Sequence, residues 1–400
     1  MNASVTLGTV AQQVVAKLRE GPLAADFLIE EAPRALHQPY LNADGTPQSS
    51  FFTEGTGVFN TAELLTGQLG LTPGTTPDDR PGLHLLLNTY VEDVQQSGAG
   101  YVLVARNVLT GDARFLSAPV VVLAGGSIES PKLLRRSSIH ESLPQHAKDL
   151  IGRGLTDHPT SNEISATATE IDGVAIPPTA HAKIVFYSRG HREHGEISYP
   201  FNIEMNINHE WWHLRENDPG AASIPPAPGT ASRVDVKLSF ANPLDDGNAI
   251  LAAPSFGYVP EIVFRNQSHM DHLRDSRFPA IAGWHKDYDA IFSVMNDAVV
   301  KALAPFRLNG APSVPQGRFG QNGLGFGWGT VHHAVGSLRM PFRSQLDAPF
   351  ETEAVVDEDL QVAGTPGLHV CDMSVIPIST AANPVRTLAA LTLRLSRHLG

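Results

Sequence analysis

The stretch that most constrains this chain is PVVVLAGGSIESPKLLRR, Pro119 to Arg136. Its first part, Pro119 to Ala124, is continuously apolar and rich in β-branched valine, which suits a strand buried on both faces under helices. Gly125-Gly126 follows, and Ile128 to Arg136 has helical spacing. Strand, glycine turn and helix in succession build an α/β sheet. Nearby, His84 to Val91 (HLLLNTYV) and Tyr101 to Ala105 (YVLVA) read as further strands, with a turn at Thr110-Gly111-Asp112. Upstream, Leu7, Val10, Val14 and Leu18 recur at helical spacing until Gly21-Pro22 stops the pattern, which predicts an amphipathic helix.

Beyond about Thr160 the texture changes. Lys183 to Tyr187 (KIVFY), Phe201 to Ile207 (FNIEMNI) and Val234 to Phe240 (VDVKLSF) are strand-like, and the alternation in the latter two implies half-exposed antiparallel strands. Pro219 to Gly229 (PGAASIPPAPG) has too few large apolar residues for a core-facing element and reads as a loop. Asp287 to Leu303 is expected to be a helix, with Ile291, Val294, Met295, Ala298 and Val299 on one face. From Val355 the α/β texture returns: Leu368 to Asp372 (LHVCD) as a short strand, a loop to Pro384, and an apolar helix through Thr387 to Leu395. The expected fold class is α/β, α+β overall, in a chain of 400 residues, long enough for one large or two ordinary domains.

Several function classes recede on composition and motif. A formal net charge of −12 disfavours a basic nucleic-acid binder. Cys371 is the single cysteine, so neither an intrachain disulfide nor a multi-cysteine metal site is expected. No apolar run is long enough to cross a membrane, and the opening MNASVTLGTVAQQVVAKLRE lacks the layout of a signal peptide, so the expectation is a soluble cytoplasmic chain. The sequons at Asn2 and Asn266 are short patterns with no secretory route to use them. The dinucleotide fingerprint G-x-G-x-x-G is absent; in Gly323 to Gly329 (GLGFGWG) its third glycine falls on Trp328, Thr330 or His332, which makes this segment a loop. H-E-x-x-H, G-x-S-x-G and a P-loop are absent too.

Two residues carry candidate chemistry. His333 precedes Gly336 and Ser337, where small residues let backbone approach a planar ring, and imidazole can take a proton near neutrality. Asn383, after two alanines, offers donor and acceptor to an alcohol oxygen, and Pro384 opens the last helix, whose N-terminus can face developing negative charge. Plainer readings exist for each. Any of the 17 histidines is ordinarily a surface or satisfied core residue, and His332 adjoins His333. Asn383-Pro384 is an ordinary turn pair, Asp372 a loop cap, Ala124 to Gly126 simple strand-to-helix chemistry, and Val91 one more apolar strand position. Trp211-Trp212 and Trp328 line a pocket or, more simply, pack.

Three segments in order resemble the signatures of the glucose-methanol-choline (GMC) flavin oxidoreductases: Val120 to Ile139, HHAVGSLRM at His332 to Met340, and Val355 to Leu391. Gly152 to Pro159 (GRGLTDHP) is similar to the crossing that those proteins place before their substrate domain. The resemblance implies a partial FAD-binding, Rossmann-like domain from residues 1–160 and 331–400, with an antiparallel-sheet substrate-binding domain at 161–330 inserted. It further implies FAD as cofactor, contacted by Val91, Ala124, Gly125, Asp372, Asn383 and Pro384. A small alcohol or sugar would be oxidised at a CH–OH group, with hydride to flavin N5, His333 as general base and Asn383 orienting the oxygen. The family begins with a βαβ unit carrying G-x-G-x-x-G, and this sequence is expected to start after it. The isolated chain should then hold FAD weakly or not at all and need a complementing chain with the dinucleotide-binding unit. A non-catalytic remnant or interaction subunit is the competing reading.

Overall fold

The structure is a computed structural model that describes residues 9–32, 85–158, 160–161, 164–189, 201–208, 229–240, 244–251, 259–264, 288–319, 326–327, 333–341 and 353–400. The predicted N-terminal helix is α1, Thr9–Arg19, which buries Ala11, Val14 and Leu18 on one stripe. After the turn at Gly21, β1 (Phe27–Glu31) joins an antiparallel sheet that has seven strands among the described residues. Its spatial order is β1, β10 (Ala182–Ser188), β11 (Phe201–Ile207), β12 (Ser232–Phe240), β6 (Thr160–Ser161) and β17 (Phe326–Gly327), with β7 (Ile164–Ala168) also paired to β12.

One face of that sheet is apolar, carrying Phe186, Ile203, Met205, Val234, Val236 and Leu238. It packs against α1 and against α4, Tyr288–Leu303, whose Met295, Ala298 and Val299 are buried as their spacing predicted. Phe27 of β1 meets Phe186 of β10 edge-on, ring centroids 6.3 Å apart. Residues 9–32 therefore belong with the antiparallel sheet, so the described part of the segment 1–160 divides between two cores. Helical spacing states which face is buried and not against what.

The other face of the sheet differs from the expected half-exposed pattern, because Asn202, Asn206, Asp235 and Ser239 are buried too. These polar groups satisfy one another and the backbone. Asn202 Oδ1 accepts from the Ser188 N–H at 3.0 Å, Arg233 donates to Asp235 at 2.8 Å, and Lys183 pairs with Glu204 at 3.0 Å. A polar face that pairs internally can be covered without stranding donors or acceptors.

The second core forms around a three-stranded antiparallel meander, β2 (Thr89–Ser97), β3 (Gly100–Asn107) and β4 (Ala113–Ala118), and a parallel pair, β5 (Val121–Leu123) with β18 (Leu368–Val370). β2 starts later than the sequence predicted: Asn88 turns the chain at φ 53°, and Leu86 and Leu87 before it are exposed. β5 is also shorter than predicted and buried on one face only, with Val120 and Val122 exposed at 42% and 41%. Its helix is α2, Gly126–Arg136, and α3, Gln145–Leu150, follows. The last helix, α5 (Val385–Leu399), buries Leu395 but exposes Val385 and Leu393. Smaller pieces complete the fold: β8 (Glu170–Ile171), β9 (Val174–Ala175), β15 (Phe306–Leu308) and β16 (Ala311–Pro312) form one sheet, and β13 (Ala249–Leu251) pairs with β14 (Glu261–Val263). Among the described residues no helix is long and apolar enough to cross a membrane. Most of the Pro219–Gly229 segment lies outside the described residues.

The cores meet where Thr156 and Val335 exchange backbone hydrogen bonds of 3.0 and 2.8 Å. Next to that bridge Gly336 sits at φ 92°, and a Cβ there would come within 2.2 Å of the Gly154 carbonyl oxygen. Gly336→Ala should therefore destabilise the protein by about 3 kcal/mol or more in urea unfolding, combining a left-handed backbone with a backbone clash. Gly111→Ala, at φ 78° with nothing within 4 Å of the added carbon, should cost only about 1 kcal/mol. Equal losses in the two variants would show that the close approach at Gly336 does not exist.

Candidate active site

The site is built outward from the end of β18. Asp372 is buried, and its carboxylate accepts four hydrogen bonds: from the Gly126 N–H at 2.9 Å and Ser130 Oγ at 2.5 Å on Oδ2, and from the Ser374 N–H at 2.9 Å and Ser374 Oγ at 2.5 Å on Oδ1. Ser130 Oγ also accepts from the Gly125 N–H at 2.9 Å. Gly126 stands at φ 83°, a conformation glycine takes without strain. The sequence singled out Asp372 as a flavin contact. In the structure its oxygens are committed to the chain's own donors, and it holds the Gly125-Gly126 turn and the short helical turn Met373–Val375 in place.

That turn in turn fastens the segment carrying His333. The Ser374 and Val375 carbonyls accept from the Leu338 and Met340 N–H groups at 3.0 and 2.9 Å. On the other side Ser127 Oγ donates to the Ala334 carbonyl at 2.5 Å and Ser337 Oγ to the Ser127 carbonyl at 2.6 Å. The bridge to Thr156 then brings up the extended stretch that ends in His158, and His158 Nε2 lies 2.6 Å from His333 Nδ1. His333 is half-buried and His158 fully buried, with Nδ1 of His158 lacking a hydrogen-bond partner among the described residues.

The electrostatics of the pair are asymmetric. Burial, and after it the neighbouring His333, push the His158 imidazole down to about 4, against a smaller upward pull from Glu204. Burial also pushes the Glu204 carboxyl up, but Lys183, Asn206 and Lys237 outweigh it and hold that carboxyl below its ordinary value. His158 is thus neutral across the physiological range. Sequence reasoning missed it. The only signal was its place in the GRGLTDHP segment, and nothing in a sequence pairs two histidines 175 positions apart.

The other expected site residues occupy distinct places in the fold. Ala124 and Gly125 are exposed at the C-terminal end of β5, where α/β sheets bind ligands. Asn383 is exposed just before α5, and Pro384 is buried as that helix's N-cap, one position earlier than predicted. Val91 is half-buried beside a β-bulge, where the pairing with β3 shifts between Val91 and Asp93, and it packs on the second core. His332, Trp211, Trp212 and Trp328 lie outside the described residues.

Because His158 binds its proton far more weakly folded than unfolded, where its pKa is near 6.5, the unfolded chain takes up more protons between those values. Stability should be complete above about pH 6.5 and fall as pH drops toward 4, by on the order of 3 kcal/mol from this one group. Urea melts at pH 7.5 and 4.5 should show a steeper loss for the unmodified protein than for His158→Gln. Parallel losses would place His158 in solvent.

Comparison with known proteins agrees with these segments. The GMC oxidoreductase family's N-terminal model matches residues 76–160 and its C-terminal model residues 321–392. A C-glycoside 3-oxidase of Microbacterium trichothecenolyticum is 24% identical over 408 aligned residues, covering 100% of this chain and 65% of that protein. Among solved structures, pyridoxine 4-oxidase from Mesorbium loti is 18% identical with a TM-score of 0.49, covering 80% of this chain and 59% of its own. An FAD-dependent oxidoreductase from Chaetomium thermophilum is 16% identical with a TM-score of 0.47, covering 79% and 61%. The chain thus spans just under two thirds of the length of the relatives it matches. His158 falls in the first matched segment and His333, Asp372 and Asn383 in the second, so the chain is similar to GMC oxidoreductases over the segments that carry these residues.

Proposed function

We propose that this chain supplies the substrate-side and catalytic half of an FAD-dependent oxidoreductase that oxidises a CH–OH group of an alcohol or sugar. The observation that carries the reading is the meeting of His158 and His333, one from each family-matched segment, at 2.6 Å. The name of the 24% identical relative, a C-glycoside 3-oxidase, favours a sugar-type alcohol.

The residues fit the ring end of the cofactor. Around Gly126 a Cβ would meet nothing within 4 Å, and Ala124 and Gly125 are exposed, so a planar ring can approach this backbone closely. The N-terminus of α2, which begins at Gly126, adds positive dipole there. For the pyrophosphate end the sequence has no G-x-G-x-x-G. When bound, FAD supplies the hydride acceptor at N5. His333 takes the hydroxyl proton at Nε2, since its Nδ1 is engaged by His158. Asn383 orients the substrate oxygen with its amide, and the general-base step contributes about 10²- to 10⁴-fold.

A separate chain or domain with the glycine-rich unit completes the enzyme in this reading. Parallel sheets are ordinarily covered on both faces, yet Val122 of β5 and Val120 just before it are exposed, and α5 exposes Val385 and Leu393. Purified alone, the chain should be colourless, and adding the glycine-rich unit should restore visible flavin absorbance; stoichiometric FAD in the isolated chain would overturn the need for a partner. In the completed protein, His333→Ala should slow flavin reduction by about 10²- to 10⁴-fold in rapid mixing with a panel of alcohols and sugars. An unchanged rate removes His333 from the chemistry, and a wild-type protein that binds FAD yet is reduced by no substrate is a remnant.

A further inference from the structure

We propose that His158 is the positioning partner of His333: its Nε2 accepts a hydrogen bond from His333 Nδ1–H and so keeps the lone pair of His333 on Nε2, where a substrate proton arrives. This rests on the reading of His333 as the base. The geometry is that of an in-plane bond. The two ring planes are 18° apart and their centroids 4.8 Å apart, which is what a closest N···N separation of 2.6 Å plus two ring radii makes. The rings therefore meet edge to edge, nearly coplanar, with the nitrogen lone pair of one aimed at the N–H of the other.

Proton counting selects the direction. A neutral pair shares one proton across this bond. If His158 donated it, His333 would present Nε2–H to the substrate, a donor with no lone pair to take a proton. If His333 donates it, Nε2 is the basic atom, and when that atom gains a proton the bond becomes charge-assisted, N⁺–H to neutral N, and strengthens. Only the second direction survives that gain, because an imidazolium has a proton on both nitrogens and His158 must then accept. Burial and the His333 charge keep His158 neutral, as its depressed proton affinity requires, and Glu204, itself neutralised by Lys183 and Lys237, is the charged group that faces it. The interaction thus grows as positive charge develops on the base, the condition for lowering a barrier instead of merely tightening binding.

The test reads tautomers directly. In the ¹⁵N-histidine-labelled chain, long-range ¹H–¹⁵N spectra assigned with His158→Gln and His333→Ala should show His333 as the Nδ1–H tautomer. His158→Gln should keep that pattern, because the glutamine carbonyl can accept near the position of Nε2. His158→Leu should release His333 to a mixture dominated by Nε2–H. Finding His333 as Nε2–H in the unmodified chain, or the same tautomer in His158→Leu, overturns the proposal; the unmodified and Gln chains decide it even where Leu fails to fold. In the FAD-loaded protein, His158→Leu should lower the flavin-reduction rate by about 10- to 100-fold with little change in KM, and Gln should recover most of it. A purely structural role would give no such recovery. If the tautomer pattern holds while His333→Ala leaves flavin reduction unchanged, the pairing stands and the general-base reading falls.

Discussion

The carboxylate of Asp372 is the constraint from which the rest of the site follows. It gathers four donors from chain positions up to 246 residues apart, and each donor to a charged acceptor contributes about 1.5–3 kcal/mol. Without it the Gly126 amide and the Ser130 hydroxyl lose their common acceptor, and only the backbone pairing of β5 with β18 is left to fix the strand-to-helix turn against the end of β18. The dependence runs on through backbone. The turn at Met373–Val375 offers the carbonyls that hold Leu338 and Met340, and those hold Val335 against Thr156. His333 meets His158 only because each of these links is in place. A buried acid that looks like a ligand contact in the sequence acts as the keystone under one.

Elements whose identity depends on local periodicity were legible. Phe201–Ile207 forms a strand over the span that its alternation marks, and α1 buries the stripe its spacing predicts. What local pattern does not carry is the identity of the opposing layer. The valines of β5 read as a strand covered on both sides, yet the described residues cover only the face of Val121 and Leu123. The polar face of β11 and β12 read as solvated, yet Asn202, Asn206, Asp235 and Ser239 on it are buried, with Asn202 bonded to the next strand and Asp235 paired with Arg233 along its own. In both cases the error lay in the environment and not in the element.

The same division holds at the site. His333 stands out in the sequence because small residues follow it at fixed spacing in a segment that resembles a family signature. His158 was not, because its importance is created by a contact across 175 positions, and a lone histidine before a proline has no local mark of function. Asp372 was legible as special, but what its carboxylate holds together was not. Its side chain is spent on four internal bonds that no sequence pattern encodes.

The histidine pair lies on the seam between the two cores, and each core controls a different half of its chemistry. The Asp372 side, through Ser374, Leu338 and Val335, sets where His333 stands. The antiparallel sheet, two residues beyond His158 at the Thr160–Ser239 pairing, sets how deeply His158 is buried and so keeps it uncharged. A proton taken by His333 is stabilised only while its neighbour stays neutral, since two imidazolium rings at 2.6 Å repel one another. Packing in the large sheet is therefore coupled to proton affinity at a ring held by the other core. If His333 is the base, as proposed, then placing it on one core and its neutral acceptor against the other makes competence for proton removal depend on the two cores being docked together.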